Sequence, residues 1–220
     1  MAQDRSEEAR LFDEWAGRYD ETVRSGHGFP FAGYDAVLDR VAAAAEAECC
    51  HRVLDLGIGT GNLAKRFADC GCDVWGIDIS NEMLAIAKAK LPKAHLAHGD
   101  IAAGWPGGFP ERFDRMVSAY VFHHFDLVAK VALLSRLLRN HCSPHGRVVI
   151  GDISFPTASA LLEARLEWGH LMDPSEHYWV ADEAIEACEQ AGLRVEYEQV
   201  SAFAGVFTLE DGSGTLAKRA

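Results

Sequence analysis

The sequence predicts an α/β protein with a doubly wound, mostly parallel seven-stranded sheet. From residue 51 onward, short apolar strands alternate with amphipathic helices, which is typical of parallel sheets whose crossovers are helical. The last two strands lie too close in sequence for a helical crossover, so we expect an antiparallel C-terminal strand. We further expect one domain, with N-terminal helices in residues 1–50, the α/β region in residues 51–209 and a flexible tail in residues 210–220.

The individual elements follow from hydrophobic spacing and from capping residues. A helix over residues 6–24 carries Phe12, Trp15, Tyr19 and Val23 on one face, and a second helix starts near Tyr34. Ser80 and Asp126 are suited to cap the starts of later helices, and Gly192 is suited to end one. The remaining helices are predicted at 63–68, 81–91, 127–138, 159–171 and 182–191, and the strands at 53–56, 73–77, 94–98, 116–120, 147–153, 193–197 and 203–209.

Composition narrows the classes of partner. The chain has 33 acidic against 21 basic residues, a formal charge of −12, which repels phosphate backbones and argues against a nucleic-acid substrate. The N-terminus is polar rather than a signal peptide, and no apolar run approaches the roughly 20 residues that span a bilayer. We expect a cytoplasmic protein, a monomer or homodimer, that binds neither nucleic acid nor membranes.

The six cysteines show neither zinc-site spacing nor the context of a secreted protein. The simplest expectation is that all six are reduced thiols. We predict no metal site.

Three glycines at alternate positions, Gly57, Gly59 and Gly61, follow the first predicted strand and open a helix. The absent Cβ atoms let a ligand approach the backbone, and the helix N-terminus faces that ligand. Asp78 ends the next strand, at the spacing where a carboxylate accepts both hydroxyls of a ribose. Asp55 and Asp100 also lie at the carboxyl ends of strands, suited to a cation and to an adenine amino group respectively. In an open α/β sheet these ends form one site.

These residues resemble the successive motifs of the class I S-adenosylmethionine-dependent methyltransferases. The resemblance covers roughly residues 8–200 and is carried by segments 55–61, 78–83 and 99–101, which read DLGIGTG, DISNEM and GDI. Segments 12–20 and 120–125 are also similar to small bacterial members of that superfamily, and from this resemblance we expect a small-molecule acceptor. A nicotinamide dehydrogenase is disfavoured because its G-x-G-x-x-G places the third glycine one residue later, and because such domains usually begin near their first strand.

The resemblance implies a Rossmann-like methyltransferase fold, S-adenosylmethionine as cofactor, and residues 1–50 as a cap over the active site. It places the methionine part at Gly57, Gly59, Gly61 and Asp55, and the ribose at Asp78. It further implies that Ile79 and Met83 flank the adenine, that Asp100 and Ile101 take its amino edge, that Ser118 lines the methionine arm, and that Tyr19 closes over the sulfonium.

Methyl transfer depends mainly on aligning the nucleophile behind the methyl group, with a base added where the nucleophile is protonated. The candidate catalytic side chains are Tyr19, His123, His124, Asp152 and Tyr178. One of the two histidines can be such a base, or both can shape the pocket without proton transfer. His123, His124 and Asp152 are an alternative metal set, but no fixed spacing supports it.

Two other functions remain open at this stage. The same fold can cleave or cyclise S-adenosylmethionine and release methylthioadenosine, or bind the cofactor without catalysis. The products separate these possibilities, because methyl transfer leaves S-adenosylhomocysteine.

Overall fold

A computed structural model describes residues 5–26, 28–49 and 52–212. Its helices are α1 (Arg5–Ser25), α2 (Tyr34–Ala44), α3 (Asn62–Asp69), α4 (Asn81–Lys90), α5 (Leu127–His141), α6 (Ala158–Trp168) and α7 (Ala181–Gln190). Its strands are β1 (Arg52–Leu56), β2 (Asp73–Asp78), β3 (His95–His98), β4 (Phe113–Ala119), β5 (Cys142–Phe155), β6 (Trp179–Val180), β7 (Leu193–Gln199) and β8 (Ala204–Asp211). Short 3-10 helices cover Ala47–Cys49 and Phe122–His124.

The strands form one sheet in the order β3-β2-β1-β4-β5-β8-β7. The first five of these are mutually parallel, whereas β8 runs antiparallel to both β5 and β7. This arrangement confirms the predicted doubly wound, mostly parallel sheet of seven strands with an antiparallel C-terminal strand. Strand β6, which the sequence did not reveal, lies off this path and pairs in parallel with the end of β5.

Helices cover both faces of the sheet, and the central strands are buried on both sides. Val53 packs into the core on the face of α2 and α3, whereas its neighbour Leu54 packs against α5 and α7. In the same way, Val117 packs on the face of α2 and α3, and Met116 packs on the face of α5 and α7. Alternating burial on two faces explains why these strands read as continuous apolar runs.

Several boundaries differ from prediction by up to five residues, and two of them change the description of the fold. Strand β5 begins at Cys142, directly after α5, and not at 147, because residues 143–146 form an irregularity inside the strand. His145 has a φ of 65°, and a Cβ on Gly146 would lie 2.9 Å from the Ser143 carbonyl oxygen, so this tight backbone needs glycine. Strand β8 extends to Asp211, which takes residues 210 and 211 out of the predicted tail; the tail beyond residue 212 lies outside the described residues.

The expectation of reduced cysteines is wrong for Cys72, which is disulfide-bonded, and is met by Cys70, Cys142 and Cys188, which are free. The partner of Cys72 lies outside the side chains that the structure describes. The Cys72 Sγ lies 3.1 Å from the carbonyl oxygen of Ala47, so the fold brings the start of β2 beside the end of the N-terminal helices. Sequence spacing does not reveal that approach.

Over the described ranges, the structure contains no helix long and apolar enough to cross a membrane.

Gly151 lies where α2 packs closely against the sheet, and it provides a test of this packing. A Cβ there would lie 2.7 Å from Val41 Cγ2 and 2.8 Å from Val37 Cγ1. We expect Gly151→Ala to lower the free energy of unfolding by about 1–3 kcal/mol in urea denaturation, since overpacking forces these side chains apart. Gly104→Ala is the control, because a Cβ there meets nothing within 4 Å. Equal stability of both variants would contradict the packing.

Candidate active site

The glycine turn lies at the carboxyl end of β1. Gly57, Gly59 and Gly61 have φ values of 73°, 52° and 84°, a region that residues with side chains rarely adopt. A Cβ on Gly57 would lie 2.5 Å from Val121 Cγ2, so the segment after β4 closes directly against the turn. Glycine is therefore required both for the backbone conformation and for this close approach.

Asp78 joins the glycine turn to the end of β2. Its Oδ2 accepts the N–H of Gly59 at 2.7 Å, and its Oδ1 accepts the N–H of Ser80 at 2.9 Å. Burial raises the pKa of Asp78, while these backbone hydrogen bonds lower it. The carboxylate is thus held in place by the same backbone that it orients. Ser80 caps α4 by accepting the N–H of Met83, as predicted.

Asp55 is a buried carboxyl group whose oxygens lack a hydrogen bond of normal geometry. The residue is 2% exposed, and neither carboxylate oxygen has such a bond among the described residues. Burial and the nearby charge of Asp78 raise its pKa well above the usual value, and the backbone N–H of Ala64 offsets this only in part. An unpaired carboxylate is costly in such a place, so the site favours a ligand that brings a cation or a hydrogen-bond donor.

Two connected cavities surround these groups. The larger encloses about 610 Å³, within the range of small-molecule sites. Its walls are Phe12, Tyr19, Gly57, Gly59, Asp78, Ile79, Met83, Gly99, Asp100, Ile101, Ala119, Tyr120, Val121, His124 and Phe125. The smaller, about 280 Å³, is lined by Asp55 and shares Tyr19, Gly57, Gly59 and Ala119 with the larger.

Most of the predicted cofactor residues are therefore together in this space. Two are not in its walls. Ser118 is buried behind the wall and donates its hydroxyl to the Leu56 carbonyl oxygen at 2.6 Å, while its neighbour Ala119 lines both cavities. Gly61 precedes α3, and a Cβ there would meet Leu91 Cδ1 at 3.0 Å. Both residues shape the site from behind.

Helix α1 covers the pocket and is attached to it by two carboxylates that sequence reasoning missed. Asp20 accepts hydrogen bonds from Thr60 Oγ1 at 2.6 Å and Asn62 Nδ2 at 2.9 Å, and pairs with Lys90 at 2.9 Å. Partial burial raises the pKa of Asp20, but these partners outweigh it and hold that pKa below its usual value.

The second attachment lies two helical turns earlier. Asp13 accepts the hydroxyl of Ser80 at 2.6 Å, so α1 is tied to the start of α4 as well as to the glycine turn. The spacing of seven residues, which places two acids on one side of a helix, is the signal that the sequence offered.

Aromatic side chains form the wall opposite Asp78. Tyr120 adopts a φ of 57°, unusual for a residue with a bulky side chain, and its hydroxyl has no hydrogen-bond partner among the described residues. Its ring stacks on Tyr34 with the centroids 5.3 Å apart. Phe12 packs edge-on against His124 at 5.8 Å. Burial and the neighbouring Tyr34 raise the pKa of Tyr19 well above the usual value, so Tyr19 is a neutral phenol.

The two predicted histidines have different surroundings. His124 lines the larger cavity, whereas His123 is buried behind the wall with its Nδ1 2.7 Å from Asp152 Oδ1. Trp179 Nε1 donates to the other Asp152 oxygen at 3.0 Å. Burial lowers the pKa of His123, but the charge and hydrogen bond of Asp152, together with the charge of Glu176, outweigh it and raise that pKa overall. His123 and Asp152 therefore form a buried pair that supports the wall.

Tyr178 also lies behind the pocket walls. Its hydroxyl accepts the N–H of Asp173 at 3.1 Å, and its ring packs edge-on against Phe29 at 5.8 Å. The structure thus separates Tyr178, His123 and Asp152 from the two predicted catalytic groups that line the pocket, Tyr19 and His124.

One cluster of potential metal ligands occurs in the part of the chain that the structure describes: His123, His124 and Glu176, whose ligand atoms lie within 4.8 Å of one another. Asp152, which the sequence analysis grouped with the histidines, contacts Nδ1 of His123, whereas Glu176 lies near Nε2 of the same ring. Glu176 was missed because it is fifty residues away in sequence.

Comparison with known proteins agrees with this geometry. A family profile described as "Methyltransferase domain" matches residues 53–146. An uncharacterized methyltransferase of Geobacillus sp. (strain WCH70) is 33% identical over 210 residues, which cover 89% of this chain and 94% of that protein. One of Bacillus subtilis is 30% identical over 207 residues, covering 88% and 92% respectively.

Solved structures show the same fold. Magnesium protoporphyrin IX methyltransferase from Synechocystis PCC 6803, solved with bound SAH, superposes with a TM-score of 0.72 at 17% identity over 94% of this chain and 99% of that one. The sequence relatives match over nearly their full length. The chain therefore belongs to the class I S-adenosylmethionine-dependent methyltransferases.

Proposed function

We propose that the protein transfers a methyl group from S-adenosylmethionine to a small-molecule acceptor beside His124. The observation that carries this proposal is the pocket beneath α1, where Asp13 and Asp20 tie the helix across both the glycine turn and α4. A pocket covered by a helix suits a small acceptor better than a macromolecule, and the charge of −12 disfavours nucleic acid.

The residues present fit the cofactor. The unpartnered carboxylate of Asp55 suits the ammonium group of the methionine arm, and the glycine turn leaves room for that arm. Asp78 keeps lone pairs for the ribose hydroxyls, since each oxygen accepts one backbone hydrogen bond. Ile79 and Met83 are assigned to the adenine faces, and the Asp100–Ile101 segment to its amino edge.

Bound S-adenosylmethionine supplies an electrophilic methyl group on a positively charged sulfur. The chain contributes alignment, because fixing the acceptor behind the methyl group provides most of the rate. Tyr19 closes the pocket from α1 as a neutral phenol. The strained backbone at Tyr120 points to a position held for function.

We assign activation of the acceptor to His124, the histidine of the pocket wall. His123 and Asp152 act as positioning residues, because their hydrogen bond fixes the 3-10 helix that carries His124.

The Synechocystis neighbour is named for magnesium protoporphyrin IX, which is a small molecule and agrees with this class of acceptor.

Product analysis tests the proposal. The purified protein, incubated with S-adenosylmethionine and fractionated pools of small metabolites, should yield S-adenosylhomocysteine and an acceptor that gains one methyl group, detected by mass spectrometry. Methylthioadenosine as the product would contradict methyl transfer. Methylation confined to added protein or nucleic acid would contradict the small-molecule acceptor.

Asp55→Asn should have opposite effects on stability and on binding. The raised pKa of Asp55 means that ionisation costs more in the folded than in the unfolded chain, so the penalty grows as pH rises above the ordinary value and is absent below it. At pH 7 the cofactor-free variant should therefore unfold at a higher temperature than the parent, and this difference should vanish near pH 4. Its affinity for the cofactor should fall about 10-fold or more, as for loss of a charged hydrogen bond.

Glu186→Gln is the matched control, since Glu186 bonds Gln190 on the exposed side of α7 and should change neither quantity. Scanning calorimetry and titration calorimetry measure the two effects. A less stable Asp55→Asn protein that binds the cofactor like the parent would refute the assignment of Asp55.

His124→Gln should separate catalysis from cofactor binding. The variant keeps a polar side chain of similar size but loses the imidazole, so kcat should fall about 100-fold or more, the usual range for a group that activates a nucleophile. The Kd for S-adenosylmethionine should stay within about 2-fold of the parent, because Asp55 and Asp78 are untouched. An unchanged kcat would exclude His124 from acceptor activation.

A further inference from the structure

His123, His124 and Glu176 converge from two separate segments beside the pocket. The histidines form the 3-10 helix after β4, and Glu176 lies in the segment between α6 and β6. His177 donates its backbone N–H to the carbonyl of His123 at 2.7 Å, which fastens the segments together next to the cluster. His123 is buried, and His124 and Glu176 are half-buried, so the cluster is largely shielded from solvent.

The distances suit ligands of one ion better than hydrogen bonds. His123 Nε2 lies 3.6 Å from Glu176 Oε1, too far for a hydrogen bond. Two ligand atoms bound tetrahedrally to one zinc ion lie about 3.4 Å apart, given metal–ligand bonds of roughly 2.1 Å. The whole set of ligand atoms, all within 4.8 Å of one another, needs only small side-chain movements to close on an ion.

The orientation of His123 is already fixed. Asp152 lies 2.7 Å from Nδ1, and the Asp152 carboxylate is itself held by Trp179 Nε1. With the Nδ1 proton donated to Asp152, the lone pair of Nε2 faces Glu176. A carboxylate on the distal nitrogen is the usual partner of a metal-binding histidine, because it fixes the tautomer and raises the basicity of the ligand.

The local charge also favours a cation. Asp152 and Glu176 supply two negative charges around His123, and the buried ammonium of Lys130, whose Nζ lies 4.3 Å from the centre of the Trp179 ring, supplies one positive charge. A divalent ion would leave the group with a net charge of +1, shared with the acceptor that it binds. Two imidazoles and one carboxylate suit zinc, iron, cobalt or nickel rather than magnesium or calcium.

We propose that His123, His124 and Glu176 bind a divalent transition-metal ion that holds and activates the acceptor. Three protein ligands leave a coordination position open, and His124 places that position at the pocket wall. The inference rests on the proposed function and deepens it: the acceptor is a hydroxyl or thiol compound that binds the ion through its nucleophilic atom.

The chemistry balances without a further reactant. On binding the ion, the acceptor loses its hydroxyl or thiol proton to water, since a bound cation lowers the pKa of such groups. The lone pair of that oxygen or sulfur then forms the bond to the methyl carbon, while the electrons of the breaking carbon–sulfur bond stay on the cofactor sulfur.

Metal binding can be measured without turnover. Full-length protein without an affinity tag is treated with a chelator, dialysed and titrated with Co²⁺ and Zn²⁺, following visible absorption for Co²⁺ and heat for Zn²⁺. We expect one equivalent to bind, with a d–d spectrum of low-symmetry Co²⁺. His124→Ala and Glu176→Gln should each weaken binding at least 10-fold, and Asp152→Asn, which removes the partner of His123, about 10- to 100-fold.

His95→Ala is the matched control. His95 lies on β3 with Nε2 3.5 Å from Asp73, a second histidine–carboxylate pair that lies outside the cluster, and its loss should leave binding unchanged. Circular dichroism of each variant confirms folding, and Glu176→Gln keeps the size of the side chain. The double variant His124→Ala/Glu176→Gln should lose the Co²⁺ spectrum.

Either of two results would overturn the metal site itself: no stoichiometric binding of either ion, or binding that survives unchanged in the double variant. Full methyl-transfer activity in the chelated enzyme would equally refute the role of the ion while leaving the proposed function intact. Conversely, specific metal binding without any methyl transfer would retain the site and refute the proposed function.

Discussion

The carboxylate of Asp78 is the interaction on which the rest of the site depends. It receives the backbone N–H groups of Gly59 and Ser80, and so joins the glycine turn after β1 to the start of α4 after β2. Burying a carboxylate to this extent is costly, and these two donors reduce that cost. Because the donors occupy one lone pair on each oxygen, the same group can orient the backbone and still bind a ligand.

The cap formed by α1 depends on the same frame. Asp20 bonds Thr60 and Asn62 beside the glycine turn, and Asp13 bonds Ser80, the residue that Asp78 also contacts. The N-terminal helix is therefore hydrogen-bonded to the segments that follow both β1 and β2. Behind the opposite wall, the hydrogen bond between the buried His123 and Asp152 holds the 3-10 helix that carries His124 in place.

Local patterns made the sheet and the glycine turn predictable. Glycine spacing, strand-end acids and helix caps depend on residues near in sequence, so the Ser80 cap and the positions of Asp55 and Asp78 beside the turn were predicted correctly, while their roles toward the cofactor stay predictions. Contacts between distant segments were not predictable. Ser118 is buried behind the pocket wall against Leu56, and Asp152 contacts Nδ1 of His123. Strand β6, with two residues, is too short to leave a sequence pattern. The Cys72 disulfide belongs to the same class, since tertiary approach decides it.

Titration calorimetry of S-adenosylmethionine against Asp78→Asn tests the central claim most directly. The substitution removes the charge that orients the glycine turn and that we propose receives the ribose, so affinity should fall by about 1.5–3 kcal/mol, the value of a hydrogen bond to a charged group. Asp126→Asn is the reference, because Asp126 caps α5 and is absent from the walls of both cavities. The account predicts a large loss for the first variant and none for the second; equal affinity in both would contradict it.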